Sequence, residues 1–320
     1  MNFEKCPLYK LQRKRDLYLI LHTNKNEIEN YKYKYKVCIE NGKRLLEKPG
    51  EPLKRLQRRI LYSLYKINFP EYVFSGIKGK SAFDNAIYHI NSRYMLKLDI
   101  SKFFPNTHRN KVYVFFKEKL KMSSDIASIF TDLVTVNYNN KNVIINSDVK
   151  EFLYNKKIKT ENHLPSGTPT SQILSYLANE DMFNEIISYT KTHKLKCSIY
   201  VDDITISSEK RKITKKEESE IKHIIKKYNH RISIDKIISY GKNEYKKITG
   251  FVISPENKLV IPNKIKSKIK DKSKFIRKVN SITVADKNTL IGLTNFADLS
   301  IKGKYDGLIK KIRNMQENLD

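Results

Sequence analysis

Residues 197–207 read Cys-Ser-Ile-Tyr-Val-Asp-Asp-Ile-Thr-Ile-Ser. Two short runs rich in β-branched residues flank a pair of adjacent aspartates. That pattern predicts a strand over Cys197–Tyr200, a tight turn, and a second strand over Ile204–Ser207. The pair constrains the fold because it is poor structure. Neighbouring carboxylates repel, Asp has low strand propensity, and neither carboxylate can be buried without a counter-charge. Upstream, the apolar run Met95-Leu96-Lys97-Leu98 predicts another strand, which ends at a third acid, Asp99. A divalent cation would resolve the repulsion, and hard oxygen ligands suit Mg²⁺ held jointly with substrate phosphates. Two such ions about 3.5–4 Å apart would activate a 3′-hydroxyl and stabilise the leaving oxygens of an in-line displacement. An ordinary acidic turn is the competing reading, and for Asp202-Asp203 taken alone it is the commoner one.

The surrounding composition points to a polyanion. There are 63 Lys+Arg against 34 Asp+Glu, a net charge of +29, where a soluble domain usually carries a magnitude of about 2–8. Nucleic acid is the first expectation and an anionic membrane surface the second; a lysine-rich, merely soluble surface is the bland alternative. A disordered basic tail is excluded, because 20 Tyr, 14 Phe and 39% hydrophobic residues can build a core. The 320 residues suit one large domain or two or three coupled subdomains. No apolar run approaches the roughly 18–20 residues that span a bilayer. Charges at Lys5, Lys10, Arg13, Lys14, Arg15 and Asp16 argue against a signal peptide. Cys6, Cys38 and Cys197 form no CxxC pair, which fits a reducing compartment and argues against zinc.

Periodicity organises the rest. Tyr31 to Ile39 alternates Tyr or an apolar residue with Lys, predicting a strand. Asn41-Gly42 predicts a two-residue turn, and the return strand carries Lys43 and Arg44. Leu53 to Ile67 reads as an amphipathic helix with Leu53, Leu56, Ile60, Leu61 and Leu64 inward. A helix should begin near Thr107, residues 131–163 read as an irregular or hairpin-like insertion, and Ser171–Thr190 and Lys215–Tyr228 read as helices. Short strands are expected around Ile232–Ile234, Ile237–Tyr240, Ile248–Ile253 and Leu259–Ile261, followed by mostly helical chain. Lys264 to Lys278 holds eight basic residues and one acid, with Ile265, Ile269, Ile276 and Val279 at helical spacing. This is a basic amphipathic helix, either a solvated face or a phosphate-tracking one.

Tyr200-Val201-Asp202-Asp203 in a hairpin resembles the YxDD box of reverse transcriptases. Leu98-Asp99-Ile100-Ser101-Lys102-Phe103-Phe104-Pro105 resembles that family's first catalytic box, LDIxxFFP. Leu164-Pro165-Ser166-Gly167-Thr168-Pro169-Thr170-Ser171 resembles LPQGxPxSP. The three boxes come in the order and spacing of a right-hand palm domain. Asn85-Ala86-Ile87-Tyr88-His89 matches the NAxxH pattern of retron reverse transcriptases, and Ile248-Thr249-Gly250 is similar to their VTG signature, with Ile for Val. The likeness runs from about Tyr31 to Ile261.

The resemblance implies an α+β right-hand polymerase with fingers, a palm of antiparallel sheet plus helices, and a small, mostly helical thumb. Residues 1–93 would hold the N-terminal region and fingers. Residues 94–255 would form the palm, with a finger insertion at about 107–163, and 256–320 the thumb. Asp99, Asp202 and Asp203 would be the catalytic set. Asp99 and Asp202 would hold two Mg²⁺ ions, with the Ile100 carbonyl completing the shell and Asp203 as second member of the dyad. Arg44 would grip the triphosphate, a task its planar fork suits; a solvated strand charge is the alternative. Phe104, five residues after Asp99, would be a steric gate against a ribose 2′-OH; a core Phe beside Phe103 is the alternative. Gly167 would let the backbone approach the nucleotide. Ser166 stands where most relatives have Gln and reaches less far over the substrate, so the family's grip and fidelity do not carry over directly. Lys236 would lie near the primer end or triphosphate. Asn85, His89, Ile248, Thr249 and Gly250 would contact RNA or brace loops that do. Lys266, Lys270 and Lys274 would track a duplex or the cognate RNA stem by shape and phosphate.

The same likeness implies dNTP substrates and a dedicated structured non-coding RNA as template and partner. Priming from the 2′-OH of an internal guanosine would give branched multicopy single-stranded DNA (msDNA). It further implies an effector protein encoded nearby, a role in antiphage defence, a bacterial cytoplasmic location and no membrane partner. The rivals are another bacterial reverse transcriptase, either group II intron-like or a different defence-associated type, and a catalytically silent RNA-binding scaffold. The NAxxH-like and VTG-like signatures, and a length with no room for a maturase tail or an RNase H domain, weigh against the intron reading. Three intact, mutually repelling aspartates weigh against the scaffold.

Overall fold

The alternating Tyr/Lys run folds as a strand only in its second half. In the computed structural model, which describes residues 1–158, 161–279 and 283–313, Lys25–Tyr31 is a helix and the strand is Tyr35–Glu40. The reason is local. The Asn24 side chain accepts the Glu27 N–H at 3.0 Å and caps the helix, and Tyr33 then reverses the chain at φ +60°. The strand pairs antiparallel with Arg44–Pro49 in a register that sets Glu40 opposite Arg44. The connection is therefore three residues, Asn41-Gly42-Lys43, rather than the two expected, with Asn41 and Gly42 both left-handed. Val143–Ile144 adds a third, parallel strand on the other side of Tyr35–Lys36.

The described residues fall into two compact units. The first comprises Met1–Lys80, Lys97–Ile206 and Thr214–Ile238; the second comprises Ser81–Leu96, Ser207–Ile213 and the chain from Ser239 on. A four-stranded sheet has the order Lys196–Tyr200, Asp203–Ser208, Tyr94–Asp99, Ile238–Tyr240. The strand ends that carry Asp99 and Asp203 belong to the first unit.

In the first unit, the helix expected over Leu53 to Ile67 is Glu51–Leu64; it buries Leu53, Leu56, Ile60 and Leu64 as its pattern requires, while Leu61 is only half-buried. It also buries Gln57, whose amide donates to the Tyr35 hydroxyl at 2.8 Å and the Leu133 carbonyl at 2.9 Å. The segment 131–163 is more ordered than its weak periodicity predicts. Val136–Asn137 pairs with Asn162–His163, and Ser147–Asn155 is a helix capped by Asn146. The single helix expected over Ser171–Thr190 is two, Ser171–Leu177 and Glu180–Thr192. They part at Asn179, whose amide nitrogen donates back to the Ser175 carbonyl at 2.9 Å and across to Thr107 Oγ1 at 3.1 Å. Around Ile232–Ile234 the expected strand is reduced to one bridge, Ile100 to Ile232, followed by a 3₁₀ turn at Ile234–Lys236.

In the second unit, Lys246–Ile248, Phe251–Ile253 and Leu259–Val260 form an antiparallel sheet. The single strand expected over Ile248–Ile253 is a hairpin instead, because Thr249 at φ +43° and Gly250 at φ +95° turn the chain. Helix Ala82–Tyr88 packs on it around Ala86, Met95, Ile248, Phe251 and Ile253. Helices Asn263–Val279, Val284–Ser300 and Asp306–Arg313 close on a core of Ile261, Ile269, Ile276, Leu290, Ala297 and Ile312. Ile269 and Ile276 are buried as expected; the side chain of Val279 lies outside the described residues. No described helix is long and apolar enough to cross a membrane.

Candidate active site

Strand Tyr94–Asp99 buries Met95, Leu96 and Leu98 and leaves Asp99 half-buried at its end. Asp203 begins the strand that pairs with it, Tyr200 ends the strand beyond, and Val201-Asp202 makes the turn between those two. Val201 sits at φ +57°. A β-branched residue in the left-handed region is a true outlier, costing on the order of 1–3 kcal/mol, and persists only where its surroundings over-determine it. They do so here. Residues 72–75 run beside the strand, with Ile199 N–H bonded to the Tyr72 carbonyl at 2.9 Å and Phe74 N–H to the Ile199 carbonyl at 3.0 Å. The buried Ser75 hydroxyl then accepts the Val201 N–H at 2.8 Å. Ser75 lies 126 positions away in the chain, and nothing in its local sequence marks it. With Ser75→Ala the turn N–H loses its acceptor, a loss of about 1–3 kcal/mol when such a group is left unsatisfied. We expect a lower thermal midpoint and a several-fold slower primer extension; wild-type values of both would remove Ser75 from the support of the turn.

The Ile100 N–H donates to the Asp202 carbonyl at 2.9 Å, which staples the Asp99 strand end to the aspartate turn. Asp99 Oδ1 accepts from the Ser233 hydroxyl at 2.8 Å and from Lys236 Nζ at 2.9 Å. Lys97 Nζ lies 3.8 Å from Asp203 Oδ2. Burial, then the charge of Asp99, pushes the Asp202 carboxyl up to about 6. Burial also raises that of Asp203, against the pull of Lys97. Asp99 holds the Lys236 ammonium above its ordinary value, chiefly through their hydrogen bond. Three carboxylates thus feel one another, with lysines beside two of them. As they stand, no three His, Cys, Asp or Glu side chains among the described residues are gathered into a finished metal cage. The donor chemistry nonetheless fits a hard divalent cation: oxygen ligands at two strand ends, one raised in pKa first by burial and then by the negative charge a cation would neutralise.

Phe103 is buried against Phe183 and His230, with ring centroids 6.0 and 5.2 Å apart. Phe104 is only half-buried, its ring 6.3 Å from that of Phe103, so it is not the core residue of the two. Gly167 is exposed at φ +101°, beside a buried Ser166. Arg44 is exposed at the start of its strand. A residue that sequence reasoning missed joins these parts: Glu47, fully buried, hydrogen-bonded to Ser166 through both side chain and backbone.

In the second unit, the expectation of direct RNA contact needs correction at three positions. Asn85, His89 and Ile248 are fully buried. His89 Nδ1 lies 2.7 Å from the Ser207 hydroxyl, which also accepts from Ser92 Oγ at 2.9 Å. Thr249 donates to the Ala82 carbonyl at 2.9 Å, and Gly250 supplies the positive φ of the turn. Thr249 and Ile248 therefore join the hairpin to the helix Ala82–Tyr88, and His89 ties the end of that helix to Ser207. Lys266, Lys270 and Lys274 are exposed on the helix that buries Ile269 and Ile276. At 1.5 Å per residue they span about 12 Å.

Comparison with known proteins accounts for this arrangement. The family model described as reverse transcriptase (RNA-dependent DNA polymerase) matches residues 32–253. The retron Ec83 reverse transcriptase of Escherichia coli is 29% identical over 265 residues, covering 80% of this chain and 78% of that one. The retron Se72 reverse transcriptase of Salmonella heidelberg is 30% identical over 54% of this chain and 40% of its own. The retron Ec86 reverse transcriptase of Escherichia coli is 27% identical over 68% and 60% respectively. The matched span takes in all three aspartates, the Leu164–Ser171 segment and both brace signatures, and by it this chain belongs to the reverse transcriptase (RNA-dependent DNA polymerase) family, in its retron type.

Proposed function

We propose that this RNA-directed DNA polymerase copies a cognate structured RNA into branched msDNA, using Asp99, Asp202 and Asp203 as its catalytic carboxylates. The observation that carries the reading is the stapled pair of strand ends, in which the Ile100 N–H bonded to the Asp202 carbonyl brings Asp99 beside the Asp202-Asp203 turn. Asp99, Asp202 and the Ile100 carbonyl would hold Mg²⁺, with Asp203 beside them. Bound there as two ions, Mg²⁺ supplies an acidified primer hydroxyl and shields phosphate charge. Lys236 donates to the Asp99 carboxylate and holds it oriented until substrate arrives. Arg44, on the fingers hairpin, pairs with the triphosphate. The exposed backbone of Gly167 approaches the nucleotide, and Phe104 presents the ring that excludes a ribose 2′-OH. The exposed lysines of the thumb helix follow the RNA or the template–primer duplex.

The retron names of the relatives support a dedicated RNA partner, internal 2′-OH priming, an effector encoded nearby and a role in antiphage defence in the bacterial cytoplasm. Sequencing the nucleic acid that copurifies with the protein expressed from its native locus tests this. Branched RNA–DNA is the expected result, and unbranched or absent DNA would overturn it. Phe104→Ala should raise ribonucleotide over deoxyribonucleotide incorporation on the order of tenfold to a hundredfold. An unchanged preference in single-nucleotide extension would remove Phe104 as the gate.

A further inference from the structure

Glu47 is a buried carboxylate with protein partners at both oxygens. It is 0% exposed, on the strand Arg44–Pro49. Its Oε1 accepts from the Tyr138 hydroxyl and lies 2.8 Å from His163 Nε2. Its Oε2 accepts the Ser166 N–H at 2.6 Å, and the Glu47 N–H donates to the Ser166 carbonyl at 2.8 Å. Both backbone groups of Ser166 are thus taken by one residue. Hydrogen bonds to an ionised acceptor are short and roughly twice as strong as neutral ones. A buried carboxylate is tolerated only when so satisfied, and that makes its placement specific.

The clamp lies between two parts read above as facing the nucleotide. Three residues before Glu47 on the same strand is Arg44; one residue after Ser166 is Gly167. A Cβ added at Gly167 would lie 3.6 Å from Leu46 Cδ2 and 3.9 Å from the Glu47 carbonyl, so the strand and the loop run in contact there. The loop's other side is tied down separately, by Ser171 Oγ donating to the Pro165 carbonyl and pairing with Thr168 Oγ1. What remains adjustable is the height of the Ser166–Gly167 backbone relative to the Arg44 hairpin, and Glu47 sets it.

We propose that Glu47 is a positioning residue for the incoming nucleotide: it locks the Ser166–Gly167 backbone to the hairpin that carries Arg44, so that base-side and phosphate-side contacts form as one unit. Ser166 is shorter than the Gln of most relatives and reaches less far over the nucleotide, so here the backbone's position carries more of the selection. The inference rests on the reading that Arg44 and Gly167 face the nucleotide, and its test separates the two.

Glu47→Gln preserves size and one acceptor while removing the charge. In steady-state extension of a DNA primer on an RNA template, the KM for dNTP should rise about tenfold, kcat should change less than about twofold, and template–primer Kd should not move. Tyr138→Phe removes another partner of the same carboxylate and leaves the Ser166 clamp intact; it should lower Tm with KM unchanged. If Glu47→Gln behaves like Tyr138→Phe, Glu47 is a structural residue only and the proposal falls. Gly167→Ala, strained at its positive φ, probes the underlying reading. A raised KM there with a wild-type KM in Glu47→Gln overturns the proposal and leaves the reading standing. If neither variant moves KM, the loop does not face the nucleotide and both fall. Should Glu47→Gln not fold, Glu47→Asp, with the charge on a shorter stem, must raise KM in its place; a folded Glu47→Asp with wild-type KM has the same overturning force.

Discussion

With Asp202→Asn and Asp203→Asn in one chain, primer extension on an RNA template with Mg²⁺ and dNTPs falls by at least about 10³-fold, while RNA binding stays near wild type. The substitutions keep shape and remove charge. Both carboxylates are held by burial above their ordinary range, Asp202 at about 6. Ionising them in the folded protein is therefore unfavourable, and that cost is present above the folded pKa and gone below the unfolded one. At pH 8 without divalent metal, the double variant should melt at or above the wild-type temperature, since it no longer confines the repelling charges. Added Mg²⁺ should raise the wild-type Tm and leave that of the variant unmoved. Loss of activity joined to retained stability distinguishes a chemical role from a structural one. Undiminished extension, or a variant that melts far below the wild type, would end the assignment of this turn.

The second large effect is expected from Lys266→Glu, Lys270→Glu and Lys274→Glu together. The three side chains are exposed, and the helix is held through the buried Ile269 and Ile276, so the fold should tolerate the change. If they neutralise three phosphates, RNA affinity should fall on the order of 10²–10³-fold at low salt, and the slope of log K against log salt should flatten by about 2–3. A filter-binding or fluorescence titration over several salt concentrations reads both. Unchanged affinity and slope would make this a solvated face. A drop in affinity at constant slope would point to loss of shape rather than of phosphate contacts.

What the chain discloses by itself follows the range of the forces involved. The Asp-Asp turn is legible because its departure from good strand chemistry is written in four consecutive residues. The buried stripe of Ile269 and Ile276 is legible because a helix repeats every 3.6 residues. Glu47 is not, because an acid beside Lys48 on a short strand looks solvated until His163, Tyr138 and Ser166 arrive from about 90–120 positions away. Ser75 is silent for the same reason. Tyr31 and Tyr33 satisfy an alternating pattern, yet Asn24 caps a helix that consumes the first of them. The break at Asn179 is likewise a tertiary outcome, since its amide is drawn to Thr107. The Asn85 and His89 pattern was visible, but their burial was not, because spacing carries no sign of which face is covered.

The left-handed Val201 makes two distant positions epistatic. Its conformation is held against its own steric preference by the Ser75 hydroxyl. The harm done by a substitution at 75 must then depend on the residue at 201. With Gly at 201 the left-handed backbone costs little, and losing the hydroxyl should matter less. With Val or Ile it should matter most. Any lineage that exchanges one of these residues alters which changes it can survive at the other, although the two never share a stretch of sequence.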